Sequence, residues 1–203
     1  MKYEGSFWDQ RFSSEEYIYG EEPNEFFRDQ LLHLPPGTIL LPGEGEGRNA
    51  VFAAKTGWKV KAFDFSRQAR KKALKLAEKH NVSVDYSISE LSALKLKRES
   101  YDAAGLIFVH LHFSVRDSFH RKISDSLKPG GRVILEAFNK NQLGKSTGGP
   151  QNPEMLYSVD DIRNGFSDLK TLLLREEDIN LNEGIHHSGI ASVIRYVGEK
   201  RLQ

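Results

Sequence analysis

The sequence predicts an α/β fold in which helices cover both faces of a seven-stranded, mostly parallel sheet whose last strand runs antiparallel. Short apolar runs alternate with amphipathic helical patterns along most of the 203 residues, as they do in repeated β-α-β units. The connections between these patterns are short, which favours parallel neighbouring strands. A glycine-rich segment follows the first apolar run directly, as in folds of this class that bind a ligand at the strand ends.

The composition indicates one globular domain over residues 1–203. Hydrophobic residues make up 38% and charged residues 28% of the chain, which is ordinary for a soluble protein. The formal net charge is only +1, so a nucleic acid or an anionic membrane is not the expected partner. The chain has no cysteine, which excludes a disulfide framework, a thiolate metal site and a cysteine nucleophile.

No segment predicts a membrane or secretory destination. The most apolar stretch, residues 103–113, contains two histidines and is far shorter than the ~20 residues of a membrane span. The first residues lack the apolar core of a secretory signal. We therefore expect a cytoplasmic protein, and either a monomer or a homodimer is compatible with the sequence.

The first 37 residues predict one or two short helices rich in aromatic residues, and we expect this segment to form a helical lid over the ligand. Asn24 is the expected cap of the helix that carries Phe26 and Phe27. Strands and helices then alternate. The predicted elements are a strand at 38–41, a helix at 48–56, a strand at 59–63, a helix at 67–80, and strands at 82–88 and 101–109.

The second half continues the alternation and ends in a strand pair. A helix is predicted at 114–127, a tight turn at 128–131 and a strand at 132–138. Residues 139–157 have no periodicity and form a long loop, which we expect to contact the substrate. Ser158 can cap a short helix after that loop. The patterns at 169–175 and 191–197 predict an antiparallel pair.

The glycine-rich turn predicts a nucleotide-like ligand. Gly45, Gly47 and Ala50 match the G-x-G-x-x-G/A pattern, and Asp64 follows Gly45 by 19 residues at the end of the second strand. An acid at that distance accepts hydrogen bonds from ribose hydroxyls. The turn therefore predicts a Rossmann-like site for an adenosine-containing cofactor.

Two acids inside the turn favour S-adenosylmethionine (SAM) over a nicotinamide dinucleotide. The pyrophosphate of a dinucleotide would lie against the turn, beside Glu44 and Glu46. Each pair of like charges ~4 Å apart costs about 4 kcal/mol at an effective dielectric near 20. SAM carries a sulfonium and an ammonium, which carboxylates favour.

Candidate residues follow the third and fourth strands. Glu90, between Ser89 and Leu91, could accept a hydrogen bond from the adenine amine. His110 follows the fourth strand and is the first candidate for a general base, with His187 second. His112 is expected to be structural or exposed. No metal site is expected, because the adjacent histidines at 186 and 187 do not share a face.

Several segments in order resemble a known family. Residues 39–51 resemble the first motif of class I SAM-dependent methyltransferases, residues 61–66 the second, and residues 127–136 the segment entering their fifth strand. The segments 7–12, 17–24, 147–157 and 183–189 resemble small methyltransferases of the tellurite-resistance (TehB-like) and thiopurine groups. The likeness covers nearly the whole chain.

The resemblance implies SAM as cofactor, S-adenosylhomocysteine as product, and methyl transfer to a small-molecule acceptor. Many members carry an acid two residues before the first glycine, where this chain has Leu41, so Glu44 is expected at the methionine end. The expected cofactor contacts are Gly43, Glu44, Gly45, Gly47, Arg48, Asn49, Asp64, Phe65, Ser66, Ser89, Glu90, Leu91, Phe108 and Tyr19.

The acceptor is left open by the sequence. An ionised thiol, selenol or other soft nucleophile needs no base, whereas a hydroxyl or an ammonium would need one. The alternatives are a SAM-binding module without catalysis and a nicotinamide-dependent oxidoreductase. A nucleic-acid methyltransferase is disfavoured, because residues 108–111 lack the Asn/Asp-Pro-Pro-Tyr type of motif that grips a flipped base.

Overall fold

The computed structural model describes residues 5–202. Its helices are α1 (Gly5–Arg11), α2 (Glu25–Leu31), α3 (Arg48–Lys55), α4 (Arg67–Lys79), α5 (Phe113–Ser126) and α6 (Val159–Gly165). Its strands are β1 (Thr38–Pro42), β2 (Lys59–Asp64), β3 (Asp85–Ile88), β4 (Tyr101–Ile107), β5 (Leu127–Phe138), β6 (Leu169–Asn182) and β7 (Ser188–Lys200).

The strands form a seven-stranded sheet in the order β3-β2-β1-β4-β5-β7-β6. The ladders β1–β2, β2–β3 and β4–β5 are parallel, whereas β7 runs antiparallel to both β5 and β6. The predicted Rossmann-like, doubly wound fold class is confirmed, including its antiparallel last strand. Whether α1 and α2 act as a lid stays a prediction.

The chain divides into two compact units. The first contains the residues up to Leu94 together with Glu183–His186, and the second contains Lys95–Asn182 and the residues from His187 onward. In the first unit, β1 is buried from Ile39 to Pro42, as a continuous apolar run in a parallel sheet predicts. β2 is buried at Val60 and from Ala62 to Asp64, whereas Lys59 is exposed. Asn24 caps α2 as expected, because its side chain accepts a hydrogen bond from the Phe27 amide.

The second unit corrects one predicted boundary. The sequence predicts a turn at 128–131 before a strand, but β5 begins at Leu127. Leu127 pairs with Tyr101, and Arg132 pairs with Ala103. A step of five residues along β5 therefore matches a step of only two residues along β4. The Lys-Pro-Gly-Gly segment therefore bulges out of the ladder instead of separating two elements.

Boundaries of four other strands also differ from the prediction. β3 begins at Asp85, three residues later than predicted, and β4 ends at Ile107. Phe108 cannot continue β4, because its φ of +53° lies in the left-handed region. β6 and β7 are longer than predicted, and their ladder runs from Leu169–Lys200 to Asn182–Ser188. Within the described residues, no helix combines the length and the apolar character that crossing a bilayer requires.

Candidate functional site

The glycine turn after β1 depends on backbone conformations that glycine favours. Gly43, Gly45 and Gly47 have φ values of +66°, +63° and +92°. A Cβ on Gly47 would lie 2.6 Å from the Cβ of Ala73 in α4, so glycine lets α3 and α4 approach closely. The Tyr86 hydroxyl donates a hydrogen bond to the Gly45 carbonyl at 2.7 Å, which fixes the turn from β3.

Asp64, the last residue of β2, connects this turn to the start of α4. Its Oδ2 accepts a hydrogen bond from the Gly45 amide at 3.0 Å, and its Oδ1 accepts one from the Ser66 amide at 2.9 Å. The residue is 6% exposed, and burial raises the pKa of its carboxyl. Each carboxylate oxygen keeps further acceptor capacity, as a residue that binds ribose hydroxyls requires.

Glu44 supplies the N-terminal cap that α3 otherwise lacks. The N-cap residue is Gly47, which has no side chain, and Glu44 Oε1 accepts a hydrogen bond from the Ala50 amide at 2.7 Å. Burial raises the pKa of Glu44 to about 7, although these amide contacts and Arg48 act in the opposite direction. The carboxyl group of Glu44 thus occupies the position at a helix N-terminus that anionic ligands favour.

Glu46 has a different role, although it lies only two residues further along. It forms a buried ion pair with Lys72 of α4, and its Oε2 accepts a hydrogen bond from the Tyr19 amide at 3.3 Å. Lys72 Nζ also donates to the carbonyls of Ser14 and Glu16. The charge of Glu46 is therefore neutralised by Lys72, and its contacts hold the N-terminal segment against the turn.

Arg48 and Asn49, two predicted cofactor contacts, use their side chains within the protein. Arg48 Nη2 lies 2.8 Å from Glu183 Oε2, and its Nη1 donates to the Tyr19 carbonyl at 3.2 Å. Asn49 Oδ1 accepts a hydrogen bond from the Asn24 amide at 2.9 Å. Both residues are buried, so what they offer a ligand is their backbone.

The remaining candidates of this unit lie around the ends of β2 and β3. Ser66 is fully buried and caps α4 by accepting a hydrogen bond from the Ala69 amide. The Ser89 amide donates to the Asp64 carbonyl at 2.9 Å, which holds Ser89 beside the end of β2. Phe65 is partly exposed, and Glu90 is exposed just before the short 3₁₀ helix Leu91–Ala93.

In the second unit, Phe108 and His187 form an aromatic cluster with Phe138. The centroid of the Phe108 ring lies 4.5 Å from that of His187 and 4.7 Å from that of Phe138. His187 is 5% exposed. This burial among aromatic rings counts against the general-base role for which the sequence made His187 the second candidate.

His110, the first candidate base, has both ring nitrogens engaged. Nδ1 lies 3.0 Å from the Met155 carbonyl, and Nε2 lies 3.3 Å from the Phe138 amide. An amide donates and a carbonyl accepts, so the neutral ring must carry its proton on Nδ1. Burial lowers the pKa of His110 to about 4. These contacts argue against His110 as a general base, because its lone-pair nitrogen already accepts a hydrogen bond.

Arg116 is a key residue that sequence reasoning missed. It is 2% exposed, and its Nη2 donates to the carbonyls of Glu154 at 2.7 Å and Leu156 at 3.2 Å. Its Nη1 lies 3.2 Å from Asp161 Oδ2, and its guanidinium lies 4.3 Å from the centroid of the Tyr157 ring. Its spacing from Phe119 and Ile123, on the buried face of α5, is the pattern that could have identified it.

The segment 139–157 is tied down along its length. At its start, Gln142 Oε1 accepts a hydrogen bond from the Ser192 amide at 2.8 Å, and Gln142 Nε2 donates to Thr147 Oγ1 at 2.9 Å. At its end, Arg116 and His110 bind three consecutive carbonyls, those of residues 154–156. These hydrogen bonds hold both ends of the segment in place. A contact of the segment with substrate stays a prediction.

His112 lies at the surface of the second unit. It caps α5 through the Ser114 amide, and its Nε2 lies 2.8 Å from Glu154 Oε2. Both side chains are exposed. In the described part of the chain, no three His, Asp or Glu side chains are grouped so that they could hold a metal ion.

The chain resembles known proteins in part of its sequence and in its fold. A family model described as a methyltransferase domain matches residues 40–135, which include the glycine turn and Asp64. No curated protein matches the sequence.

Solved structures share the fold at low sequence identity. TehB from Haemophilus influenzae is 14% identical, with a TM-score of 0.74 over 97% of this chain and 67% of that chain. A SAM-dependent methyltransferase from Methanosarcina mazei is 15% identical, with a TM-score of 0.70 over 90% and 100%. The cyclase SpnF is 16% identical, with a TM-score of 0.71 over 98% and 95%. The fold is that of SAM-dependent methyltransferases, and together with the match over residues 40–135 it supports an enzyme of this class that uses SAM.

Proposed function

We propose that this protein transfers a methyl group from SAM to a small-molecule acceptor. The observation that carries the proposal is the position of the Glu44 carboxyl group at the N-terminus of α3, 2.7 Å from the Ala50 amide. A dinucleotide would need that position for its pyrophosphate. The carboxyl group of Glu44 occupies this position and, when ionised, would repel a phosphate. The same charge would attract the cationic groups of SAM.

The residues of the first unit fit this cofactor in a definite division of roles. Two backbone amides hold the Asp64 carboxylate in place. In the complex with SAM, this carboxylate would accept hydrogen bonds from the ribose hydroxyls. The backbone of Gly43–Gly47 holds the methionine part, and Glu44 favours its positive charge. Phe65 and Glu90, with Ser89 and Leu91, lie at the strand end where adenine would bind. When bound, SAM supplies an electrophilic methyl group.

The second unit supports an acceptor that needs no base from the protein. His110 is neutral at pH 7 and uses both nitrogens, and His187 is buried among aromatic rings. Neither residue is placed to take a proton from a hydroxyl or an ammonium. A thiol or selenol that ionises in water reacts without such help, so small thiols and selenols are the proposed acceptors.

The structural neighbours span both compact units, which supports residues 1–203 as one methyltransferase domain. One of these neighbours is a cyclase, so the fold alone does not establish methyl transfer. Methyl transfer itself has to be measured.

The test combines calorimetry with a transfer assay. Wild type, Asp64→Asn and Glu44→Gln are titrated with SAM, S-adenosylhomocysteine and NADH. We expect SAM to bind wild type, Asp64→Asn to weaken it by about tenfold or more, as for a lost hydrogen bond to a charged group, and NADH not to bind. Tritium from methyl-labelled SAM should then appear in a small thiol. If SAM binds but no thiol, selenol or other acceptor is labelled, the protein is a binding module; if NADH binds instead, the oxidoreductase alternative holds.

A further inference from the structure

The short helix α1 is fixed beside the glycine turn by two independent contacts. Asp9 Oδ1 accepts hydrogen bonds from the Ser66 hydroxyl at 2.5 Å and from the Gln68 amide at 3.2 Å. Phe12 is buried, and its ring edge lies 3.6 Å from the position that a Cβ of Gly45 would take. These contacts fix α1 beside the turn, and with it Arg11 and Trp8, which lie on the same helix.

On α1 an arginine lies against a row of aromatic rings. The guanidinium of Arg11 lies 5.6 Å from the centroid of the Phe7 ring and 5.7 Å from that of Trp8. The row continues from Trp8 to Phe12, 5.4 Å between centroids, and from Phe12 to Tyr19, 6.3 Å. It ends at His186, whose ring centroid lies 6.3 Å from that of Tyr19.

The electrostatic effects of Arg11 reach the far end of this row. Its positive charge adds to desolvation in lowering the pKa of His186. The same charge opposes the desolvation that raises the pKa of Tyr19. The charge of Arg11 thus influences both Tyr19 and His186, which are partly exposed.

Three acids of this region already have partners other than Arg11. Glu46 pairs with Lys72, and Glu183 pairs with Arg48. Asp9 accepts from Ser66 and Gln68, and Arg67 acts on its charge. Among residues 5–202, no carboxylate forms an ion pair with Arg11. Within the described residues, the aromatic surface therefore carries one positive charge that forms no ion pair.

We propose that Arg11, Trp8, Tyr19 and His186 form a binding surface for a planar, carboxylate-bearing ligand, which is the methyl acceptor. The guanidinium is a fork of donors that fits a carboxylate in two parallel hydrogen bonds. The rings offer a planar body a stacking partner. This inference rests on the proposed function for the identity of the ligand as acceptor, whereas the binding of planar carboxylates can be measured without it.

The test uses two probes that differ in charge and share a shape, 2-naphthoate and 2-naphthamide. Binding is followed by the fluorescence of Trp8, with Trp8→Phe as the blank, because the other tryptophan, Trp58, is buried. We expect naphthoate to bind wild type about tenfold tighter than naphthamide, the effect of one charge-assisted contact of about 1.4 kcal/mol. Arg11→Gln should abolish that difference, and Arg11→Lys should keep part of it.

Arg121→Gln is the matched control, because it removes an exposed arginine of α5 in the other unit. It should keep the full preference for naphthoate. Equal binding of the two probes to wild type, or an unchanged preference in Arg11→Gln, overturns the proposal.

A second readout separates this inference from the proposed function. Wild type and Arg11→Gln are titrated with SAM, and both should bind it equally, since Arg11 is not assigned to the cofactor. In the transfer assay, the KM of a carboxylate-bearing thiol should rise about tenfold in Arg11→Gln, while the KM of its carboxamide analogue stays the same. If wild type does not bind SAM, the proposed function is wrong. The comparison of naphthoate with naphthamide would still decide whether the surface binds planar carboxylates. Naphthoate binding with unchanged KM values for both thiols would show that the surface does not bind the acceptor.

Discussion

Glu44 caps the helix that begins four residues after it, through a hydrogen bond of 2.7 Å from the Ala50 amide to its carboxylate. Two residues further along, Glu46 points to a different partner and pairs with Lys72. The two acids of this turn thus have different partners and different roles. The first stays close to half-protonated at neutral pH, since burial raises its pKa to about 7, and the second lies beside a lysine that balances its charge.

Glu44 should make the protein less stable as the pH rises. Its folded pKa of about 7 lies above the ordinary value of 4.5, so the folded state binds more protons between these two pH values. Its contribution to the free energy of unfolding therefore falls through this window, by about 3 kcal/mol at 1.4 kcal/mol per pKa unit. Urea unfolding at pH 5 and pH 8 should show that Glu44→Gln loses less stability over this range than wild type. Glu90→Gln, an exposed acid, should behave as wild type does, and parallel curves for all three proteins would contradict the assignment.

His110 should be dispensable for proton transfer. His110→Asn keeps an amide donor for the Met155 carbonyl and removes the basic nitrogen. With a thiol acceptor, turnover of the variant should stay close to that of wild type. Its pH dependence should follow the ionisation of the thiol, so a thiol with a lower pKa should shift the pH profile to lower pH. A loss of about a hundredfold or more, the contribution of a general base, with SAM binding intact, would restore the catalytic role.

His120 should make the protein sensitive to acid. It is fully buried, stacks on Phe166 at 4.2 Å, and has an Nδ1 without a hydrogen-bond partner. Burial lowers its pKa to about 3, so its contribution to stability is lost as the pH falls below the ordinary value of 6.5. His120→Phe should unfold at a higher temperature than wild type at pH 5, with a smaller difference at pH 8. A difference that does not depend on pH would mean that the ring acts only through packing.

Arg116 should contribute more to the free energy of unfolding than an exposed arginine does. Arg116→Met removes donors from the carbonyls of Glu154 and Leu156 and leaves Asp161 without this partner. Breaking a buried charged network of this kind costs about 3–5 kcal/mol, measured as the free energy of unfolding in urea. Arg121→Gln, on the exposed side of the same helix, should change stability by less than about 0.5 kcal/mol. Equal effects of the two substitutions would show that the buried contacts of Arg116 contribute little.

Gly47 should tolerate alanine less well than another glycine with the same backbone conformation. Both Gly47 and Gly144 have positive φ, +92° and +83°, but a Cβ would lie 2.6 Å from Ala73 at Gly47 and meet nothing within 4 Å at Gly144. Gly144→Ala should therefore cost only the backbone strain of about 1 kcal/mol. Gly47→Ala should cost about 1–3 kcal/mol more because of overpacking. Equal losses of unfolding free energy would refute the close approach of α3 and α4.

The sequence by itself determined the fold class and the place of the candidate site. The alternation of apolar runs with helical patterns predicted the sheet, and the spacing of Gly45, Gly47 and Asp64 predicted a turn and an acid that the structure joins by a hydrogen bond of 3.0 Å. Caps were predictable too, at Asn24 and Ser158. These features depend on near neighbours, on the period of an element or on a fixed spacing between two motifs, all of which a sequence displays directly.

Only the tertiary structure decided which partner each polar side chain has. Glu46 and Lys72, or His110 and Met155, lie far apart in sequence and meet because the chain folds back on itself. Burial then changes their chemistry, because a nitrogen that accepts from a backbone amide is no longer available as a base, and a carboxylate beside a lysine no longer attracts a ligand. Spacing along the chain cannot show this, since the partner and the degree of burial arise only when distant segments pack together.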